Sequence, residues 1–269
     1  MSTIVKQLNR QAEARVTLGF RPGEGNSHTS RTMMLAEATR LFDQIPADEP
    51  TSAYQNAVVL ENALGKPTRS TRSRTFQRLK ELYILDPRRA LFRNLRSFWS
   101  KTELGRPMLA FLLASARDSL LENLTDQILE IDPDTVVESN EVVEWLKDRY
   151  PSRYSNNTLR STSLNLLSSW NQAGFLLGKR RKRRTKPFVD PATAAYALLI
   201  GYLRGLRGSS LFESSSVRFL DRRRYEIREL AAQASKLGLL DLKEAGTVVA
   251  IAFPDSLTHA EEIASREQN

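Results

Sequence analysis

The residues best suited to chemistry with a partner lie between Ser155 and Val189. On a helical wheel of about 100° per residue, Thr158, Ser161, Thr162, Asn165, Ser169 and Gln172 fall on one side and Leu159, Leu166, Leu167 and Trp170 on the other. The polar stripe is neutral and rich in hydrogen-bonding groups, whereas an ordinary solvent face more often carries Lys and Glu. Ser155, Asn156 and Asn157 offer side-chain oxygens to the free amides of a first helical turn. After Gly174 and Gly178 comes a run in which seven of eight residues are basic: Lys179, Arg180, Arg181, Lys182, Arg183, Arg184 and Lys186, with only Thr185 neutral. A polar helix followed by a cationic hairpin is what a winged helix-turn-helix presents to DNA. The helix offers donors and acceptors to base edges and the hairpin neutralises phosphates.

A charge run by itself is as readily a solvated loop or disordered tail. Here it is bounded by Phe175, Leu176 and Leu177 before and Phe188 and Val189 after, as two short strands would be. A short helix, Glu141–Arg149, closed by Pro151, precedes the polar one. A second basic region spans residues 66–101, where Lys66, Arg69, Arg72, Arg74, Arg78, Lys80, Arg88, Arg89, Arg93, Arg96 and Lys101 stand against only Glu81 and Asp86. Two amphipathic helices fit it, Ser70–Leu85 and Arg88–Ser100. Their apolar faces belong in a core, and Arg69, Arg72, Arg74 and Arg78 are candidates for extending a phosphate-binding surface.

Other chemistry is hard to find. His28 and His259 fall in expected loops or tails without neighbouring ligands at metal spacing, and both read as surface residues. The phosphate-loop, dinucleotide, zinc-protease and nucleophile-elbow signatures are absent. Asp132, Asp134 and Glu138 are the densest acidic group, better explained by turn formation and capping than by a hard cation. We therefore expect no catalytic residue, metal or cofactor, although a nuclease built from dispersed carboxylates stays open as an alternative.

The elements that must position these residues are mostly helical. The expected helices are Thr32–Ile45, Ala53–Leu64, the two basic ones, Pro107–Ala116, Leu120–Ile131, Glu141–Arg149 and the polar helix. Further helices follow from Pro191 to about Leu206, with Asp190 capping and Pro at the first position, and at about Asp221–Lys236. Val136–Val143 can begin with a short extended piece. Leu239–Leu242 and Thr247–Phe253 read as paired strands around Ala245–Gly246, a hairpin without a basic tip. The extreme N-terminus reads as mobile and the tail after Ser256 as fraying. The fold class is mainly α, a multi-helix bundle containing a winged helix-turn-helix with one or two short β-hairpin wings. Residues 1–104 form an N-terminal helical domain with a basic surface and residues 105–190 the winged region. Residues 191–269 supply C-terminal helices and the small hairpin, either apart or packed with the preceding region as one domain.

The chain has 269 residues, enough for a sizeable core, with 40 Lys and Arg against 31 Asp and Glu, a formal charge of +9. Such an excess favours a polyanion. With no cysteine, disulfides are excluded and a cytosolic setting is expected. The longest apolar run, Ala192–Leu203, is too short for the ~20 residues of a spanning helix, so no membrane partner is expected.

Two stretches carry a family resemblance. Leu60–Leu82, LENALGKPTRSTRSRTFQRLKEL, and Thr158–Leu176, TLRSTSLNLLSSWNQAGFL, resemble segments of the BrxA-like proteins of bacterial phage-exclusion (BREX) defence islands. Together they cover less than a fifth of the chain, which extends beyond compact members of that family after Val189. The resemblance implies a helical, winged-helix, DNA-binding accessory protein that works beside other proteins of an antiviral defence system and has no enzymatic activity of its own. The expected partner is double-stranded DNA. Thr158, Arg160, Ser161, Asn165, Ser169 and Gln172 would face the major groove, and the basic run would lie along phosphates. Two alternatives remain beside it, a scaffold joining larger defence proteins and an RNA-binding protein.

Overall fold

The computed structural model describes residues 3–21, 23, 26–246 and 248–268, with side chains from residue 11 onward. The architecture is mainly α-helical. Its centre is the helix that follows the basic hairpin, α10 (Pro191–Leu203), in which every residue from Ala192 to Leu203 is buried. A helix apolar all round can only be stable with neighbours on every side. Its start is fixed as the sequence suggests: Asp190 accepts from the Thr193 amide at 2.9 Å, Thr193 Oγ1 accepts from the Asp190 amide at 2.8 Å, and Pro191 occupies the first position.

The helices before α10 are, in chain order, α1 (Thr3–Leu18), α2 (Leu35–Gln44), α3 (Thr51–Gln55, running on as a π-helical turn to Leu60), α4 (Arg69–Tyr83), α5 (Ala90–Trp99), α6 (Arg106–Arg117), α7 (Ser119–Leu129), α8 (Ser139–Arg149) and α9 (Asn156–Ala173). After α10 come α11 (Ser215–Arg218), α12 (Arg224–Lys236) and α13 (His259–Arg266). The central helix packs against α5, α6, α11, α12 and α13. One continuous cluster of buried apolar side chains runs from Ala14 to Ala264, so the three expected segments share a core. Phe42 anchors its N-terminal part, meeting Tyr83, Phe92 and Trp99 edge-on at 5.8, 5.8 and 5.1 Å. Truncating a residue such as Leu198 would cost about 2–5 kcal/mol.

The ends of the chain differ from expectation. The expected mobility of the extreme N-terminus falls in part on Met1 and Ser2, which lie outside the described residues, as does Thr247 of the second expected hairpin. From Thr3 the chain is helical, and α1 packs against α13, where a fraying tail was expected. Thr258 and Glu261 cap α13 reciprocally, and Arg93 grips Glu261 at 2.6 Å.

Among the described residues, five strands complete the fold. β1 (Val136–Val137), β2 (Leu176–Leu177) and β3 (Lys182–Arg184) form an antiparallel sheet in the order β1-β3-β2, with Val136 opposite Arg183 and Leu176 opposite Arg184. β4 (Asp241–Ala245) and β5 (Val248–Ala252) form a separate hairpin. None of the described helices is long and apolar enough to cross a membrane.

Candidate nucleic-acid interface

The chain from α7 to β3 runs helix, strand, helix, helix, hairpin, and the hairpin's second strand pairs with the lone first strand. Local chemistry sets each piece. Asp118 caps α7 by accepting from the amides of Leu120 and Leu121. Glu138 and Glu141 form a reciprocal capping box on α8. Ser155 accepts from the Thr158 amide at 3.3 Å to start α9, and Gly174, at φ 91°, ends it in the left-handed conformation. Trp170 of α9 meets Trp145 of α8 edge-on at 6.3 Å and donates to Thr125 of α7 at 3.1 Å, locking the three helices together.

Gly178, at φ 125°, makes the hairpin possible. A Cβ there would lie 2.1 Å from the carbonyl oxygen of Arg181, so only glycine lets the chain turn this tightly. Beyond it Lys179, Arg180 and Arg181 project as an exposed tip, and none of the three has a carboxylate partner among the described residues. Arg183 is exposed with one donor on the Asp134 carbonyl, and Lys186 is exposed. Lys182 is half-buried and folds back onto the Lys179 carbonyl at 2.8 Å.

Arg184 corrects the expectation. It is 3% exposed, its Nε donates to the Ile128 carbonyl at 2.8 Å and its Nη2 pairs with Asp221 at 2.6 Å. It ties the base of the hairpin to the end of α7 and to the loop after α11, and cannot reach a phosphate.

The polar ridge of α9 is corrected more broadly. Ser169 and Thr162 are wholly buried, and Asn165 and Gln172 are half-buried. The ridge is covered by segment 26–35, which joins α1 to the first residue of α2 and is irregular apart from that residue and a single 3-10 turn at Ser27–Thr29. Ser169 Oγ accepts from the Met33 amide at 2.8 Å, Gln172 Oε1 accepts from the Leu35 amide at 3.0 Å, and Asn165 Nδ2 donates to the His28 carbonyl at 2.9 Å. An irregular strap has backbone groups that no ladder satisfies, and a neutral polar helix face supplies their partners. Ser169, Asn165 and Gln172 therefore do not read base edges. What stays open on α9 is its N-terminal part, namely Asn156, Asn157, Arg160, Ser161 and Leu164, with Thr158 half-buried and its hydroxyl 3.0 Å from Ser155 Oγ.

His28, expected at the surface, is fully buried in the same strap. Its Nε2 stands 2.9 Å from Ser169 Oγ and its Nδ1 3.2 Å from Asp118 Oδ2, the latter poorly aligned for a hydrogen bond. Ser, His and Asp in this order suggest a nucleophilic triad. Ser169 Oγ, however, is already committed to the Asn165 carbonyl and the Met33 amide, and all three side chains are sealed from solvent. The group is a structural staple between the strap, α7 and α9. Burial disfavours the Asp118 carboxylate, but the adjacent His28 and the amides of Leu121 and His28 outweigh it and hold the carboxyl below its ordinary value.

The second basic region divides the same way. Arg69 and Arg74 of α4 are exposed. Arg72 is turned onto the Leu60 carbonyl at 3.4 Å, and Arg78 is paired with Glu81 at 2.7 Å. Arg96 is 7% exposed, bonded to the Ile45 carbonyl and set over the Phe42 ring at 4.7 Å. A continuous arginine surface across α4 and α5 is therefore not formed. The first turns of α4 do lie close to α9, since Thr71, Thr75 and Asn165 line one hollow of about 310 Å³. Among the described residues, no three His, Asp or Glu side chains converge as a metal ion would need.

No family model matches this chain, and no curated protein matches it.

Proposed function

We propose that the protein binds double-stranded DNA, without catalysing a reaction, through the N-terminal turns of α9 and the tip of the β2–β3 hairpin. The observation that carries this reading is the unpaired cationic tip, Lys179–Arg181, mounted on the hairpin of a helix–strand–helix–helix–hairpin unit whose sheet order is β1-β3-β2. That connectivity is the one a winged helix-turn-helix requires, and we assign the unit to that class. In such a unit the second helix enters the major groove by its N-terminal residues. Asn156, Asn157, Arg160 and Ser161, which remain open, are the residues so placed, and Leu164 supplies apolar surface of the kind that meets thymine methyls. Lys179, Arg180, Arg181, Arg183 and Lys186 would contact phosphates, with Arg69 and Arg74 as outlying contacts.

A role in bacterial antiviral defence, beside other proteins of a BREX-like system in the cytoplasm, rests on the resemblance of Leu60–Leu82 and Thr158–Leu176 to BrxA-like proteins. The scaffold alternative draws on one observation, that Leu164 on α9 and Leu177, two residues before the basic tip, are both more than half exposed. Fluorescence anisotropy with a labelled duplex, competed by unlabelled DNA and RNA duplexes at fixed salt, tests the assignment. DNA binding with weaker competition by RNA is expected. Absence of duplex binding, with co-purifying proteins in its place, would favour the scaffold.

A further inference from the structure

A cleft of about 610 Å³ opens among the loop after α1, the second half of α4, the turn into α5 and the end of α6. Its volume is that of a small-molecule site. Among the described residues, five cationic side chains line it, Arg21, Lys80, Arg88, Arg89 and Arg117, against two acidic ones, Glu81 and Asp86.

Both carboxylates are already engaged. Asp86 holds Arg88 through two hydrogen bonds of 2.9 Å and lies 3.8 Å from Arg89. Glu81 takes Arg78, outside the cleft, at 2.7 Å, and a hydroxyl hydrogen bond from Ser27 at 3.2 Å. Arg21, Lys80 and Arg117 are left with no carboxylate partner among the described residues. The Arg21 guanidinium donates to Ser27 Oγ, and Arg117 donates to the carbonyls of Glu81 and Gly19. Carbonyls satisfy donors but leave the charge standing. Burial and the neighbouring charge of Arg21 pull the Arg117 guanidinium down to about 10, and the nearby Glu81 carboxylate offsets only part of this. An enclosed cation beside another cation is costly unless an anion joins them.

The backbone of the cleft is strained as well. Ile84, a β-branched residue, sits at φ 69° and ψ −56°, and the Leu85 amide closes a three-residue turn on the Tyr83 carbonyl at 2.6 Å. Leu85 follows at φ 57°. Turns of this kind are rare and costly, and strain of this sort concentrates at functional sites. The turn delivers Asp86, Arg88 and Arg89 to the cleft mouth. Opposite it Gly19, at φ 106°, lets the chain pass where a Cβ would come within 2.9 Å of Ile84 Cδ1.

We propose that this cleft binds a multiply charged phosphate group, with Lys80, Arg21 and Arg117 as its direct ligands and Arg88 and Arg89 at the rim. Planar guanidinium forks and a compact ammonium converging from three elements suit phosphoryl oxygens. A single carboxylate would leave most of this charge unanswered. The phosphate can belong to a free nucleoside polyphosphate or to the 5′ end of a nucleic-acid strand.

Isothermal titration of the full chain with inorganic pyrophosphate tests the site. Saturable binding at one site per chain is expected, weakened about tenfold by Lys80→Gln or by Arg21→Gln, since each removes one charge-assisted contact. Neither side chain is part of the core, so both variants should keep the parent melting temperature. A Lys179→Glu/Arg180→Glu/Arg181→Glu variant should bind pyrophosphate as the parent does, which separates this cleft from the proposed DNA surface. Tighter binding of a nucleoside triphosphate than of pyrophosphate would support the site and name free nucleotide as its source. Preference for a 5′-phosphorylated over a 5′-hydroxyl oligonucleotide would support it and name a strand end. No saturable binding, unchanged affinity in both Gln variants, or loss of binding in the hairpin variant would overturn it.

Discussion

Two ends of one hairpin, three residues apart, put the same side chain to opposite uses. Arg181 at the tip is exposed and without a carboxylate partner among the described residues, while Arg184 at the base is buried on the Ile128 carbonyl and Asp221. The two halves of α9 divide likewise: its first turns are open, and its later polar residues hold the strap 26–35. In both, residue type was uninformative about role and the neighbouring backbone decided it. Where an irregular segment or a strand end needs partners, the polar group turns inward. Where the chain reverses into solvent, it stays available.

The contrast can be broken at its base first. Arg184→Ala leaves Asp221 without its partner and takes one of its donors from the Ile128 carbonyl, and should cost about 3–5 kcal/mol of stability. For a chain of this size that is a fall of roughly 6–20 °C in melting temperature. Calorimetry showing an unchanged Tm would mean that the hairpin base is not built on this pair.

The tip should behave in the opposite sense. Reversing Lys179, Arg180 and Arg181 to Glu should weaken duplex binding about 100-fold or more at 100 mM salt, while the melting temperature stays within a degree or two of the parent. Loss of fold together with loss of binding would erase the distinction between the two ends.

Within α9, Ser169→Ala should destabilise by about 1–3 kcal/mol by stranding the Met33 amide, with duplex affinity unchanged. Asn157→Ala should do the reverse, keeping stability and altering base preference by about 1–3 kcal/mol, if that turn sits in the groove. Urea melts beside binding curves for the two variants sharpen or abolish the division of the helix.

The smallest effect concerns acid. The Asp118 carboxyl is held below its ordinary value in the folded chain, so it releases its proton more readily there than in the unfolded chain. The stabilisation it gives is complete above the unfolded carboxylate range, near pH 4, and disappears as pH falls through the lower folded value. Asp118→Asn should flatten the acid limb of a stability–pH profile, and an unchanged limb would assign it to other carboxylates.

Much of the frame was legible before any coordinates. Ser155, Gly174, Asp190 and Pro191 are caps and stops that act locally, so they mark helix ends in sequence as they do in space. The apolar bracket around the basic run likewise gave the hairpin. The burial of the ridge depended on segment 26–35, more than a hundred residues away, which no helical wheel can place. One signal was nonetheless present: from Ser161 to Gly178 the chain carries no charged residue. Small polar Thr162, Ser163 and Ser169 alternate there with the leucines. A helix neutral on every face is packed on most of them, and that pattern favoured burial over a ligand surface. The terminal helices were hidden for a related reason. α1 and α13 are too polar to be recognised alone and are held by each other. His28 was hidden because its partners, Asp118 and Ser169, come from distant helices.

The most direct test of the central claim is the salt dependence of duplex affinity for the intact chain and for the Lys179→Glu/Arg180→Glu/Arg181→Glu variant. With about seven phosphate contacts from the three tip residues, Arg183, Lys186, Arg69 and Arg74, the logarithm of affinity should fall against the logarithm of salt with a slope of about −6, and of about −4 in the variant. Equal slopes, or no salt-dependent binding of any duplex by the intact chain, would contradict it.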